Sequence, residues 1–243
     1  MKITNYNDTD YEQGFWSERL YEDLIEKYNI QKLLNKEYGS FIDIGGGFGR
    51  LVPVYIDRVK TESVLLDYSD KLLDSAKAKY NDIKKLKPVQ GSFYELPFKD
   101  NNFDGGLSVR VLHHVENVPQ YLKELNRVLK KDAIFILEYA NKRNLLEIIR
   151  FFLGRSKIKP FSVEPDNRSD KGLTINFHPL YIKKMLDEHG FVVEKMIASS
   201  LFRMPILKKF IGQKMLYNME KMIPAFLKNG ALSPSIFLRI RKK

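Results

Sequence analysis

Apolar residues recur along the chain in two rhythms, and the rhythm switches repeatedly. Between residues 10 and 35, Tyr11, Phe15, Leu20, Leu24, Ile25, Tyr28 and Leu33 keep helical spacing. A continuous apolar run from Ser40 to Ile44 follows and reads as a buried strand. A glycine loop then leads into a helix expected from about Gly49. ESVLLDYS, residues 62–69, reads as the second strand, and Asp70 as the cap of a helix carrying Leu72, Leu73 and Ala76. Further strands are predicted at 88–90, 103–109, 133–140, 191–199 and 235–242, and helices at 119–130, 141–153 and 179–189. The polar stretch 155–175 reads as a mobile loop. Strands alternating with helices predict an α/β fold: a seven-stranded, mostly parallel sheet with helices on both faces. No linker divides the chain, so residues 1–243 read as one domain. It carries an N-terminal helical cap over 1–38 and a helical insertion over 200–231, before the last strand.

On such a sheet, ligands sit beyond the carboxyl ends of the strands. The loop after the first strand, within FIDIGGGFGR, is therefore the expected site, and Gly45, Gly46, Gly47 and Gly49 fall there. Glycine lets a ligand approach the main chain closely. The spacing is Asp43-x-Gly45-x-Gly47-x-Gly49, with Arg50 where the dinucleotide fingerprint has its third glycine. The second strand ends in Asp67, and a carboxylate at that place can accept two charge-assisted hydrogen bonds from a ribose diol. Tyr68 follows and can lie against a purine face. The plainer alternatives are a glycine turn that only joins strand to helix, and a carboxylate that only caps the next helix.

Composition trims the list of functions. Cysteine is absent, which excludes disulfides, thiolate metal sites and a cysteine nucleophile, and no metal-ligating constellation stands out. The longest apolar runs are far shorter than a membrane span, and the N-terminus lacks a signal-peptide core, so a cytoplasmic location is expected. The net charge is +11, and residues 203–243 hold ten Lys/Arg against one acid, Glu220. The basic balance thus belongs to the C-terminal segment. Within it, Leu207, Phe210, Ile211, Met215, Met219, Met222, Ile223 and Phe226 approximate one apolar helical face. Three readings of segment 201–228 rank in order: packing on the domain edge with a lid role, contact with a membrane surface, and RNA binding.

FIDIGGGFGR, VLLDYS, GSFYELPFKDNNFDGGLSVRVLHHV, LKKDAIFILEYA and FHPLYIKKMLDEHGFVVEK together resemble the motifs of class I S-adenosylmethionine-dependent methyltransferases, of the small-molecule group that includes quinone-biosynthesis enzymes. The resemblance implies a Rossmann-like fold. It also implies S-adenosylmethionine as cofactor, S-adenosylhomocysteine as product, and a small, apolar acceptor. By the same resemblance, Asp43 and the backbone of Gly45, Gly46 and Gly47 hold the methionine portion. Asp67 binds the ribose hydroxyls, and Tyr68 lies beside the adenine. Ser92 and Phe93 stand where the family usually has an acid and a small residue near the adenine amino group, which is a departure. Arg110 lines the methionine pocket, where it pairs with the cofactor carboxylate; a surface salt bridge is the alternative.

Methyl transfer from a sulfonium is an in-line displacement, so positioning supplies much of the acceleration. His113 and His114 follow the fourth strand and are the candidate general bases, with packing on the core as the alternative. His178 reads as a helix-start residue. Tyr11 and Trp16 are placed to close over the cofactor. Two other functions share these motifs. An RNA methyltransferase is disfavoured because SVRVLHHV replaces the Asn-Pro-Pro-Tyr-like motif used on base nitrogens. A non-catalytic S-adenosylmethionine-binding protein of the same fold is the other.

Overall fold

The computed structural model describes residues 11–167, 173–223 and 232–243. Seven strands form one sheet: β1 (Tyr38–Ile44), β2 (Val59–Asp67), β3 (Leu86–Gln90), β4 (Phe103–Ser108), β5 (Leu129–Ala140), β8 (Phe191–Ser199) and β9 (Ser235–Lys242). Their order is β3-β2-β1-β4-β5-β9-β8. All pairs from β3 through β5 are parallel, and β9 runs antiparallel to both β5 and β8. The chain order reverses between β1 and β4, so the crevice beyond their carboxyl ends is the topological switch point. Register sets Asp43 beside Leu65 of β2 and Leu107 of β4.

Helices cover both faces. On one, α4 (Val118–Val128) and α6 (Pro179–Glu188) bury Tyr121, Leu122, Leu125, Ile182 and Leu186 against Ile42, Phe135 and Ile240. On the other, α1 (Leu20–Leu33), α2 (Val52–Tyr55) and α3 (Asp70–Lys79) bury Ile30, Leu33, Tyr55, Leu73 and Ala76 against Phe41, Leu65 and Ile136. The remaining helices, α5 (Leu145–Phe152), α7 (Pro205–Ile211) and α8 (Gln213–Met222), lie outside this double layer.

Several predicted elements differ in detail. The first helix is two pieces, a single wide turn at Tyr11–Phe15 and then α1. The helix expected from Gly49 begins at Val52, because Gly49 is left-handed (φ 78°) and Pro53 suits a first turn. The cap of α3 is Ser69, whose hydroxyl accepts from Leu72 N; Asp70 is the first helical residue. The stretch 155–175 contains a two-stranded ribbon, β6 (Asp166–Asn167) with β7 (Ile175–Asn176), and residues 168–172 lie outside the described part.

The insertion also departs from the expected single apolar face. Gly212 (φ 81°) breaks it into α7 and α8. Leu216 is buried with Tyr21 and Ile25 of α1, and Leu207, Ile211 and Tyr217 pack around them. Phe210, Met215, Met219 and Met222 are exposed instead, and Phe226 lies outside the described residues. The C-terminal cations are largely engaged: Arg239 and Arg241 with Glu194, Arg241 with Asp132, and Lys243 with Asp187.

Candidate active site

The ends of β1, β2 and β4 converge on the glycine loop. Gly45 N and Gly46 N both donate to Leu66 O, which ties the loop to the end of β2. Gly45 has φ 73°, and a Cβ there would collide with the Val111 side chain. Gly47 has φ 54°, a left-handed conformation that favours glycine, and a Cβ there would meet Leu72 and Asp67 at ordinary contact distance. Gly47 N donates to Asp67 Oδ2 at 2.8 Å, and Ser69 N donates to Asp67 Oδ1 at 2.9 Å. Asp67 thus clamps the loop. Burial raises its carboxyl above the ordinary range, against the pull of these backbone donors.

Asp43 is buried at the end of β1, and its Oδ2 has no hydrogen-bond partner. Burial pushes its carboxyl up to about 7; the neighbouring Tyr55 hydroxyl opposes the rise, nearby Asp67 adds to it and Arg50 opposes it. A buried acid left unsatisfied is costly in the ligand-free protein. That cost would fall if a cationic or hydrogen-bonding ligand met it. Asp43, Gly45, Gly46, Gly47, Phe48, Arg50, Val109, Arg110 and Trp16 share one cavity of about 30 Å³. Nucleoside-sized ligands need about 300 Å³ or more.

A charged network from α1 lies beside Trp16. Arg50 donates to Asp23 (2.8 Å) and to the buried Glu26 (2.6 Å), and its guanidinium lies 3.7 Å over the Trp16 ring. Arg110 has φ 61°, donates its main-chain N to Glu138, reaches Glu26 at 3.4 Å and lies 5.3 Å from Trp16 on another side. Two arginines thus lie within cation–π range of Trp16. The alternative reading of Arg110 as a surface salt bridge does not match its pairing, which is with the buried Glu26. Tyr11's side chain lies outside the described part.

His113 and His114 sit in one tight turn, Leu112–His114, with ring centroids 4.0 Å apart. Burial lowers both; His114, Arg110 and Arg203 lower His113 further, well below its ordinary value. His113 is thus neutral at neutral pH, and burial and the two arginines oppose its protonation. His114 Nδ1 is 2.9 Å from Leu173 O, so that nitrogen carries the hydrogen and Nε2 the lone pair. Arg203, in the turn after β8, is half-buried, and Arg110 and Arg19 depress it after burial does.

Tyr68 is exposed next to Asp67. Ser92 Oγ accepts from Tyr94 N, and the Phe93 ring is buried in the core against Tyr94 and Tyr121. The Phe93 side chain is therefore part of the core. His178 caps α6 through Nδ1, which accepts from Leu180 N. Among the described residues no group of His, Asp and Glu is arranged to hold a metal ion, and no helix is long and apolar enough to cross a membrane.

Sequence reasoning did not find Glu26, Arg50 or Arg203. Glu22, Asp23 and Glu26 recur on one side of α1, which was the available signal for a cation-holding face.

A switch-point crevice with a left-handed glycine loop and a carboxylate at the end of β2 defines a Rossmann-like nucleotide-cofactor protein. Residues 42–137 match the family model described as methyltransferase domain. An uncharacterized protein of Methanocaldococcus jannaschii is 31% identical over 215 residues, covering 84% of this chain and 80% of the relative. A demethylmenaquinone methyltransferase of Staphylococcus saprophyticus is 38% identical over 78 residues, 31% of this chain and 32% of that enzyme. The chain thus spans only about a third of that named enzyme. The fold is similar to that of a Thermotoga maritima protein described as an S-adenosylmethionine-dependent methyltransferase, possible histamine N-methyltransferase: TM-score 0.66, 21% identity, 96% of this chain and 95% of the other. Residues 42–137 of the chain thus belong to the methyltransferase-domain family.

Proposed function

We propose that this protein moves a methyl group from S-adenosylmethionine to a small, largely apolar acceptor that gives up a proton. The single observation that supports this reading is the cavity that Asp43, the Gly45–Gly47 loop and Arg110 share at the switch point, its loop held by Asp67. When bound, S-adenosylmethionine supplies a sulfonium-activated methyl group. Asp43 meets the ammonium end of the methionine portion, and its buried, unsatisfied Oδ2 fits that charge. Asp67 takes the ribose hydroxyls while keeping the loop in shape. Arg110 faces the cofactor carboxylate. His113 accepts the acceptor's proton, and Trp16 closes the cavity against water. Helix α8, docked on α1, covers the acceptor side as a lid. The exposed Lys209 and Lys214 support contact with an anionic or membrane surface through 203–243.

Incubation with methyl-labelled S-adenosylmethionine and a panel of apolar hydroxyl and enol acceptors tests the reading. Label should enter the organic phase, and His113→Ala should slow transfer about 100-fold with cofactor affinity kept. Label recovered in RNA would replace this function with the RNA methyltransferase alternative. Cofactor binding without transfer to any acceptor would favour the non-catalytic one.

A further inference from the structure

A feature unrelated to the cofactor lies at the same edge of the sheet. Helix α5 leaves the end of β5, and α7 follows the end of β8, which runs parallel to β5. Both therefore start at the edge that holds the glycine loop. On α5, Glu147 is the buried residue, while Leu145, Ile149, Phe151 and Phe152 are exposed. Phe152 is 73% exposed and Phe161 53%. The rings of Phe151, Phe152 and Phe161 lie 5.7, 6.1 and 6.0 Å apart and form one surface cluster. A contiguous exposed apolar patch of this kind marks an interaction surface.

The charges around it select the partner. Arg143, Arg155, Lys157 and Lys159 are exposed, and Glu147 is the one acid between residues 141 and 163. Glu147 is buried, where it accepts from Ser156 and Arg150. The patch is thus aromatic and mainly cationic, with exposed Glu164 and the half-buried Asp166, which accepts from Lys159 N, at its border. A second copy seated face to face would bring like charges together. Nucleic acid would use the cations but leave three phenylalanines against water. A bilayer with anionic headgroups satisfies both halves: phenyl rings enter the headgroup boundary, and the cations meet the negative surface potential. Beside α7, Ile206 (57% exposed) and Phe210 (77%) with Lys209 repeat the pattern on the same edge.

We propose that the α5 face, with Phe151, Phe152 and Phe161 ringed by Arg155 and Lys159, seats this protein on an anionic lipid surface with its cofactor edge toward the bilayer. Co-sedimentation with vesicles of phosphatidylcholine, alone or mixed with phosphatidylglycerol, tests it. The wild type should pellet with the mixed vesicles and be released by salt. The pairs Phe152→Ser/Phe161→Ser and Arg155→Gln/Lys159→Gln should each cut partitioning about tenfold or more. These exposed changes should leave circular dichroism and affinity for S-adenosylmethionine as they were, which separates this inference from the methyltransferase reading. Equal partitioning of wild type and variants, or no wild-type binding, would overturn it. So would a concentration-dependent dimer abolished by the phenylalanine pair, which would assign the face to a second copy.

Discussion

Asp67→Ala should weaken S-adenosylmethionine binding by about tenfold or more, the equivalent of about 1.5–3 kcal/mol for hydrogen bonds to a charged group. Two effects act together. The ribose loses its acceptor, and Gly47 N and Ser69 N lose the carboxylate that holds the loop. Asp67→Asn should fall between. Its amide keeps one acceptor but turns a donor toward the other main-chain N–H. The fold should survive, because the sheet core beneath does not depend on Asp67. Calorimetry on folded variants is the check, and unchanged affinity in Asp67→Ala would move the ribose anchor elsewhere.

The second large effect is expected at Glu220. This carboxyl group is fully buried and accepts from Tyr21 OH, from Ser200 N (3.0 Å) and from Leu201 N (3.0 Å). Tyr21 OH in turn accepts from Phe202 N at 2.9 Å. Together these bonds fasten α8 to α1 and fix the turn that presents Arg203. Ser200, left-handed at φ 64°, is held in that conformation by the same contacts. Glu220→Ala strands these donors in an apolar setting and should cost about 3 kcal/mol or more. For a chain of this size that lowers the melting temperature by roughly 6–12 °C. Glu220→Gln keeps one acceptor oxygen and should cost less. If α8 is the lid, methyl transfer in the Gln variant should fall more than cofactor affinity does. An unaltered melting temperature for Glu220→Ala would show that this network does not hold the insertion in place.

The sheet was legible because parallel strands covered on both faces are mostly apolar, as FIDI and VLLD are apart from Asp43 and Asp67. The loop was legible because left-handed main chain at Gly45 and Gly47 leaves glycine little competition. Other features depend on partners distant in sequence. Nothing local to Arg50 shows that it crosses to Asp23 and Glu26, or that Trp16 lies beneath it. The insertion misled for a local reason: Gly212 turns the chain, so a stripe drawn through one straight helix put Phe210, Met215 and Met222 on a packed face. His113 and His114 were placed correctly after β4, yet only the assembled site shows Arg110 and Arg203 depressing His113.

The central claim is that the crevice formed by Asp43, the glycine loop and Asp67 binds S-adenosylmethionine. Calorimetric titration of the intact protein with S-adenosylmethionine and with NAD, at pH 6 and pH 8, tests it most directly. Burial holds Asp43 protonated up to about pH 7, so its neutral form favours the folded, ligand-free protein at low pH, and that benefit is lost as pH rises through 7. The cationic cofactor pairs with the ionised form. One-site binding is expected, tighter at pH 8 than at pH 6, with a proton released at pH 6, and no heat is expected from NAD because Arg50 fills the third glycine position. Binding of NAD with no response to S-adenosylmethionine at either pH would contradict the account.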